Sequence, residues 1–230
     1  GTPLRPDLLS HAGGDFQVTW IGHASFLIQT EGMNVLVDPV WSRWLGLLKR
    51  VRQPGLEIED LPPIHVVLIS HDHYDHLDAA TVRRLAEAHH PRFYVPLGLK
   101  PWFRGIGIED VVELDWWESR VERGITLHCV PVQHWSKRTL TDRDQTLWSG
   151  WVFEHPSFRA LFAGDTGYSP DFADIGKRFG GFDFAALPIG AYEPRWFMSA
   201  YHVNPEEAVR IQDDLRARIA LGIHWGSFEM

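Results

Sequence analysis

Cysteine is almost absent from this chain of 230 residues, which contains only Cys129. A single thiol excludes an internal disulfide and cannot build a cluster of thiolate ligands. Any bound metal must therefore be held by histidines and carboxylates. Long apolar runs are lacking too, because the longest, such as residues 65–70 and 185–189, have only the length of strands. The sequence predicts no transmembrane segment.

Basic residues are outnumbered, since 22 Lys and Arg against 30 Asp and Glu give a formal net charge of −8 at pH 7. Nucleic-acid binding depends on neutralising phosphates with Lys and Arg, and the sequence has no basic run to do so. Nucleic acid is therefore excluded as the main partner. No signal peptide is visible, which predicts a cytoplasmic location, although a chain that begins at Gly1 could have lost a targeting segment.

Aromatic residues, in contrast, are abundant, with 11 Trp and 13 Phe. The apolar fraction of 44% is ordinary for a globular protein, so most of these rings should fill the core between packed layers. The remainder could line an apolar cleft for a small-molecule or lipid-like substrate.

No repeat or Gly/Ser linker divides the chain, so we predict one domain over residues 15–230, preceded by an irregular Pro- and Gly-rich arm at residues 1–14. Helices are predicted at residues 79–90 and 171–179 and from the cap signal Asn204-Pro205 onward. Apolar or β-branched runs predict strands at residues 16–20, 25–30, 34–37, 66–69, 92–95, 111–114, 125–132, 150–154, 159–163, 184–188 and 219–223. This order of elements suits an α/β (α+β) protein, an αββα sandwich of two mixed sheets with outer helices.

The segment at residues 70–78 reads SHDHYDHLD and follows a short, fully apolar strand. In extended backbone His71 and His73 project to the same side, so both rings can reach one metal. Asp75 and His76 follow where the chain turns toward a helix and can reach a second point nearby. A solvated loop before a helix is the alternative, but imidazoles and carboxylates at this spacing are typical of a site for Zn²⁺, Fe or Mn.

This segment resembles the signature of the metallo-β-lactamase superfamily. The chain is most similar to the branch that contains N-acylphosphatidylethanolamine-hydrolysing phospholipases D and their bacterial relatives. The resembling stretches run in order from about Asp15 to Phe228 and include TWIGHA (19–24), VDP (37–39), ELDWWE (113–118), QHWS (133–136), FAGDTG (162–167), PIGAY (188–192), PEEA (205–208) and GIHWG (222–226).

The resemblance implies two divalent metal ions, of which Zn²⁺ is the first choice and Fe or Mn the alternatives. It places His71, His73 and His134 on one metal, places Asp75, His76 and His224 on the other, and makes Asp165 the bridge between them. The residues themselves agree with these roles, because His134, Asp165 and His224 all follow strand-like runs. Taken singly, each of the three is more often an ordinary surface, core or turn residue. The cluster at residues 71–76, however, needs these ligand types to complete it.

Other residues are weaker candidates. The resemblance places His202 beside the site, as a substrate contact or proton donor, and Asp75, Asp165 and His202 form the predicted catalytic set. Tyr201 departs from the family pattern, which carries an amide there. Tyr74 could contact substrate or could equally be an inert aromatic residue, while His23 and Asp38 could orient metal ligands from outside the first set.

Two metal ions can activate water for attack on phosphorus or on a carbonyl carbon. We therefore predict a binuclear metal-dependent hydrolase, and specifically a phosphodiesterase of phospholipase-D type. The alternatives are a lactone, ester or lactam hydrolase with the same site and a metal-binding protein without catalysis. A homo-oligomer is compatible with the sequence.

Overall fold

The computed structural model describes residues 16–30 and 32–229, so the predicted arm at residues 1–14 lies outside the described residues. The strands are β1 (Gln17–Gly22), β2 (Ser25–Thr30), β3 (Met33–Val37), β4 (Trp44–Leu45), β5 (Leu48–Lys49), β6 (Val66–Leu68), β7 (Arg92–Pro96), β8 (Val111–Leu114), β9 (Ser119–Glu122), β10 (Ile125–Val130), β11 (Gly150–His155), β12 (Phe158–Phe162), β13 (Phe182–Pro188) and β14 (Ala217–Ile223). The helices are α1 (Ala79–His89), α2 (Lys100–Gly105), α3 (Asp171–Phe179), α4 (Arg195–Met198) and α5 (Pro205–Leu215).

The strands form two six-stranded sheets and one small hairpin, β4–β5. The first sheet has the order β1-β2-β3-β6-β7-β8, with the predicted antiparallel meander in β1–β3 and parallel pairing from β3 to β8. The second has the order β14-β13-β12-β11-β10-β9, antiparallel from β9 to β12 and parallel from β12 to β14. Both sheets are therefore mixed, as predicted.

Three apolar layers hold the sheets and helices together. The inner layer packs Phe26 and Leu68 of the first sheet with Trp151 and Phe162 of the second. Because side chains alternate along a strand, Val67 of β6 points the opposite way, into the layer that α1 and α2 cover. A third layer joins the second sheet to α3 and α5. The predicted αββα sandwich is confirmed.

Local sequence explains where the main helices begin. At α1 the side chain of Asp78 accepts a hydrogen bond from the amide of Ala80. At α5 the side chains and backbones of Asn204 and Glu207 exchange hydrogen bonds in a capping box, an arrangement in which the cap alone contributes about 1 kcal/mol. Both helices have 11 residues, and no helix of the described chain has the length and apolar character needed to cross a membrane.

Differences from the sequence prediction are confined to short or terminal pieces. The predicted strand at residues 125–132 ends at Val130, because Pro131 has no amide hydrogen to donate to a neighbouring strand. The elements β4, β5, β9, α2 and α4 were not predicted, since runs of two to six residues are too short to show a periodic pattern.

One end of the sandwich gathers the loops that follow β3, β6, β10, β12 and β14. In this type of sheet the carboxyl ends of parallel strands share an edge, where functional loops collect. Gly164, directly after β12, has a φ of +63°, and a Cβ atom there would lie 2.8 Å from Cβ of Ser70. Only glycine lets the loop after β12 approach the loop after β6 so closely.

Candidate metal centre

All the residues predicted to bind metal lie together at this end of the sandwich. Five of them are buried, while His73 and Asp75 are half-buried. The first sheet supplies the residues of the loop after β6, and the second sheet supplies those after β10, β12 and β14. The full predicted set is His71, His73, Asp75, His76, His134, Asp165 and His224.

The first group, called here the three-histidine cluster, consists of His71, His73 and His134. Nε2 of His71 lies 2.9 Å from Nδ1 of His73, which in turn lies 3.3 Å from Nε2 of His134. Nitrogens bound to one tetrahedral Zn²⁺ at about 2.0–2.1 Å would lie roughly 3.3 Å apart. The three nitrogens therefore converge at a spacing that suits one metal ion.

The second group, called here the mixed cluster, consists of Asp75, His76, His224 and Asp165. Nε2 of His224 lies 3.2 Å from Oδ2 of Asp75 and 3.1 Å from Oδ2 of Asp165. Nε2 of His76 lies 3.7 Å and 3.2 Å from the same two oxygens. Two imidazoles and two carboxylates thus converge on a second point.

Asp165 connects the two clusters. Besides its contacts in the mixed cluster, its Oδ2 atom lies 3.9 Å from Nε2 of His134. Its Oδ1 atom is buried and has no hydrogen-bond partner among the described residues. This position, between two groups of nitrogen ligands, is the one predicted for the bridge.

Hydrogen bonds on the far side of the rings fix which nitrogen faces each cluster. Nδ1 of His134 lies 3.0 Å from the carbonyl oxygen of Tyr201. Because a carbonyl only accepts, this nitrogen carries the proton, and Nε2 keeps its lone pair for the cluster. Nδ1 of His76 donates in the same way to the buried carboxylate of Asp38, which the sequence had proposed for this role.

His23, the other residue proposed to orient a ligand, lies in the tight turn between β1 and β2. Its Nε2 atom lies 2.9 Å from Oδ2 of Asp75, and its ring centre lies 4.2 Å from that of His224. Burial and then the nearby His224 ring lower the pKa of His23 to about 4, although Asp75 partly offsets this. A neutral His23 can donate a hydrogen bond to Asp75 and so restrain a carboxylate of the mixed cluster.

Burial and mutual repulsion keep the three-histidine cluster neutral. Burial first, and then the neighbouring imidazoles, hold the pKa values of His71 and His134 well below the usual range. Burial also lowers the pKa of His73 to about 4. Neutral imidazole is the form that binds metals.

The residues of the mixed cluster, in contrast, favour their charged forms. Burial alone would raise the pKa values of Asp75 and Asp165, but the surrounding histidines outweigh it and hold both well below their usual range. Burial would likewise lower the pKa of His76, yet Asp165, Asp75 and Asp38 raise it well above its usual value. The same balance raises the pKa of His224 to about 9. Ionised carboxylates concentrated here attract positive charge, which a divalent cation can supply.

The donor set passes a further test of fit. Buried polar atoms in proteins nearly always have a partner. Nε2 of His76, Oδ1 of Asp165 and Nδ1 of His202 are buried without a hydrogen-bond partner among the described residues. A metal ligand needs a nitrogen or oxygen lone pair that no other group uses, and these unpaired atoms lie where the two clusters converge.

His202 lies beside both clusters. Its Nδ1 atom is 3.9 Å from Oδ2 of Asp165, and its ring centre is 5.2 Å from that of His134. Arg195 fixes this loop by donating to the carbonyl of His202 at 2.7 Å while pairing with Glu207 at 2.7 Å. Burial lowers the pKa of His202, although Asp165 partly offsets this.

The side chain of Tyr74 connects two loops beside the clusters. Its hydroxyl donates to the carbonyl of Arg138 at 2.8 Å, so it joins two loops instead of facing the clusters. Arg138 returns the contact by donating to the carbonyls of Asp72 and Leu77 at 2.6 and 2.8 Å. These contacts of Arg138 with the loop after β6 were not predicted, because no local sequence pattern indicates a contact between residues 66 positions apart.

Comparisons with known proteins identify the family of this chain. The family model of the beta-lactamase superfamily domain matches residues 33–225. The chain is 44% identical over 236 residues to N-acyl-phosphatidylethanolamine-hydrolyzing phospholipase D 1 of Caenorhabditis elegans, covering 96% of this chain and 66% of that protein. It is 37% identical over 222 residues to the mitochondrial N-acyl-phosphatidylethanolamine-hydrolyzing phospholipase D of Saccharomyces cerevisiae, covering 91% of this chain and 47% of that protein. The chain thus spans less than two thirds of either relative.

A solved structure supports the fold independently. Igni18, described as a metallo hydrolase of the archaeon Ignicoccus hospitalis, superposes with a TM-score of 0.73 at 20% identity, covering 92% of this chain and 83% of that one. The fold and the paired clusters define the class, a protein with the metallo-β-lactamase fold and two groups of side chains that could bind metal ions. The chain belongs to the beta-lactamase superfamily.

Proposed function

We propose that this protein is a binuclear metal-dependent hydrolase that cleaves a lipid-like phosphodiester in a reaction of phospholipase-D type. The observation that carries the proposal is the pair of clusters joined by Asp165, whose Oδ2 atom lies 3.2 Å from His76 and 3.9 Å from His134. In this arrangement His71, His73 and His134 would hold one cation. Asp75, His76 and His224 would hold the other, and Asp165 would contribute to both sites.

The two cations would supply Lewis acidity, which lowers the pKa of water and stabilises negative charge on the reacting oxygens. The protein's own contribution is position. The buried carboxylate of Asp165 sets the spacing of the two clusters, while Asp38 and the carbonyl of Tyr201 orient the rings of His76 and His134. Zn²⁺ suits this set of nitrogen and carboxylate ligands, as do Fe and Mn.

The choice of a phosphodiester is supported by similarity. The two relatives compared above are named as phospholipases that hydrolyse N-acylphosphatidylethanolamine. A two-metal site also suits a phosphodiester physically, because it can stabilise both the attacking and the leaving oxygen of an in-line displacement. A carbonyl substrate benefits less from the stabilisation of both of these oxygens.

His202 is proposed to contact the substrate at the leaving-group side. Its buried Nδ1 atom faces Asp165 at 3.9 Å and has no hydrogen-bond partner among the described residues. Burial lowers the pKa of this imidazole in the free protein. A negatively charged phosphodiester beside it would raise that pKa and favour the imidazolium form, which can give its proton to the departing alkoxide and return to neutral imidazole.

The direct experiment measures metal content and substrate class together. Protein loaded with zinc should hold close to two equivalents per chain and turn over bis-p-nitrophenyl phosphate and N-acylphosphatidylethanolamine. Lactones should react more slowly, and β-lactams hardly at all. A protein that binds two metals but hydrolyses a lactone far faster than any phosphodiester is instead a carbonyl hydrolase. One that binds metal and hydrolyses nothing is a metal-binding protein.

The His202→Ala variant tests the leaving-group contact. A poor leaving group such as a lipid alkoxide needs a proton, whereas p-nitrophenolate departs without one. The rate should therefore fall by about 10²-fold or more on the lipid and much less on the nitrophenyl ester. Equal losses on both substrates would assign His202 to binding alone.

A further inference from the structure

A cationic side chain lies one aromatic layer away from the metal centre. The guanidinium carbon of Arg143 is 4.8 Å from the ring centre of Trp135, and its Nη2 atom donates to the hydroxyl of Tyr201 at 3.4 Å. The same two aromatic residues contact the three-histidine cluster. The Trp135 ring lies 4.5 Å from that of His73, and the Tyr201 carbonyl accepts the Nδ1 proton of His134.

The charge of Arg143 is available to a ligand. Its side chain is 54% exposed, and among the described residues its only ion pair is with Asp144, which lies 3.4 Å away and is itself 46% exposed. Exposed pairs of this kind contribute little, so they yield readily to a better partner. Among the described residues Nη1 makes no hydrogen bond, and a guanidinium stays charged at any working pH.

The two aromatic rings also restrict the guanidinium. Contact with the face of Trp135 and with the Tyr201 hydroxyl limits the positions of the guanidinium, so less conformational entropy is lost when a ligand binds. A planar guanidinium matches a carboxylate, which it can contact with two parallel N–H bonds. In a protein with a net charge of −8, this local positive charge favours anions where solvent meets the metal centre.

We propose that Arg143 selects phosphodiesters whose headgroup carries a carboxylate a few bonds from the scissile phosphorus. The inference rests on the proposed function, because a phosphate bound between the metal clusters brings the neighbouring headgroup to the layer formed by Trp135 and Tyr201. Arg143 then pairs with the headgroup carboxylate. It acts on substrate choice and takes no part in breaking the bond.

Two lipids that differ by one carboxylate test this selection. N-acylphosphatidylserine carries a headgroup carboxylate that N-acylphosphatidylethanolamine lacks. The zinc-loaded enzyme should show a higher kcat/KM for the serine lipid, and Arg143→Gln should lower the ratio of the two kcat/KM values about tenfold. Arg143→Lys should retain part of the ratio, because it keeps the charge without the planar stack. Salt at about 0.5 M should reduce the wild-type ratio.

Arg218 provides the matched control. It is also an exposed arginine, at 79% exposure, and pairs with Asp183 at 3.1 Å. It lies at the start of β14, whereas His224 follows the end of that strand, so it is far from the metal centre. Arg218→Gln should leave the ratio at the wild-type value. If Arg143→Gln also keeps it, or the wild type has no preference, the inference is wrong.

Binding of soluble headgroups separates this inference from the proposed function. Dissociation constants for glycerophosphoserine and glycerophosphoethanolamine can be measured by calorimetry without relying on turnover of lipid. The zinc-loaded wild type should bind glycerophosphoserine about tenfold more tightly, and Arg143→Gln should bind both alike. This preference without hydrolysis of either lipid would overturn the phosphodiesterase proposal and retain the anion contact. Equal affinities in the wild type would overturn the anion contact.

Discussion

Nδ1 of His76 donates a hydrogen bond of 2.6 Å to Oδ2 of Asp38, and both side chains are fully buried. Asp38 also accepts hydrogen bonds from the amide and hydroxyl of Ser70, at 2.7 and 2.5 Å. Burial raises the pKa of this carboxyl, although His76 and Ser70 partly offset the effect. A carboxylate at the end of β3 thus fixes both the first residue of the metal-binding loop and one of its rings.

Removing this support should weaken metal binding without removing a ligand. We expect Asp38→Ala to lower the affinity of the mixed cluster for zinc by about 10–100-fold, because the His76 ring loses its orientation and its charged acceptor. Competition with a chromophoric chelator measures this affinity. Asp110→Asn, which changes an acid that is 57% exposed and paired with Arg92, is the control. Unchanged zinc affinity in Asp38→Ala would contradict the role given to this carboxylate.

Asp165 should matter more than any ligand of a single cluster. In Asp165→Ala both clusters lose a charge, so metal content should fall from close to two equivalents to one or fewer, and phosphodiesterase activity by more than about 10²-fold. His71→Ala is the comparison, because it removes a ligand from the three-histidine cluster alone. Elemental analysis after dialysis measures the metal content of both variants, and a phosphodiesterase assay measures their activity. Full metal content in Asp165→Ala would rule out the bridge.

Chelation should lower thermal stability. Ligands that bind only the folded chain stabilise it by mass action, by about 2.7 kcal/mol per site at a hundredfold excess over Kd. For a chain of this size we expect removal of both ions to lower Tm by about 5 °C or more. Scanning calorimetry with and without EDTA, followed by zinc readdition, tests this. An unchanged Tm would argue against metal ions held by both sheets.

Gly190 packs so closely against His224, the last of the predicted metal ligands along the chain, that no side chain fits at position 190. A Cβ atom at this position would lie 1.7 Å from the carbonyl oxygen of His224. Gly190→Ala should therefore lower the free energy of unfolding by about 2–4 kcal/mol, because the backbone of His224 must move. Gly105→Ala is the control, since nothing lies within 4 Å of its Cβ position. Equal unfolding midpoints in urea for the two variants would refute the clash.

Cys129 should be chemically inert in the folded protein. Its side chain is fully buried in the inner layer, and burial raises the pKa of its thiol to about 12. Because the thiolate is the reactive form, a disulfide reagent at pH 8 should label it only after denaturation, and labelling should become faster only well above pH 8. Rapid labelling at pH 8 without denaturant would show that the inner layer opens locally.

Local sequence was enough to predict those helices and strands whose signals lie within a few neighbouring residues. The helix Pro205–Leu215 was predicted because Asn204, Pro205 and Glu207 form its cap from within four positions. The strand Val66–Leu68 was predicted because a short apolar run buried on both faces has few alternatives. The hairpin at Trp44–Leu45 and Leu48–Lys49 was missed, since each strand has two residues.

The composition of the candidate site could not be predicted from local sequence, because its residues come from distant parts of the chain. His134, Asp165 and His224 each had an ordinary alternative as core or turn residues, and only the family resemblance joined them to the loop after β6. The contacts of Arg138 and Arg143 were not predicted at all. They join residues that lie 66 and 58 positions apart, and such pairs follow from loop geometry that no local periodicity encodes.

The spacing of the ligands along the chain also orders their appearance during translation. The three-histidine cluster is complete once residue 134 has been made, whereas the mixed cluster joins Asp75 to His224 across 149 positions. The edge strand β14, which ends directly before His224, pairs with β13 alone among the described strands and is the last of them to be synthesised. The residues of the three-histidine cluster are therefore all present in the growing chain well before those of the mixed cluster, which cannot form until synthesis has passed residue 224.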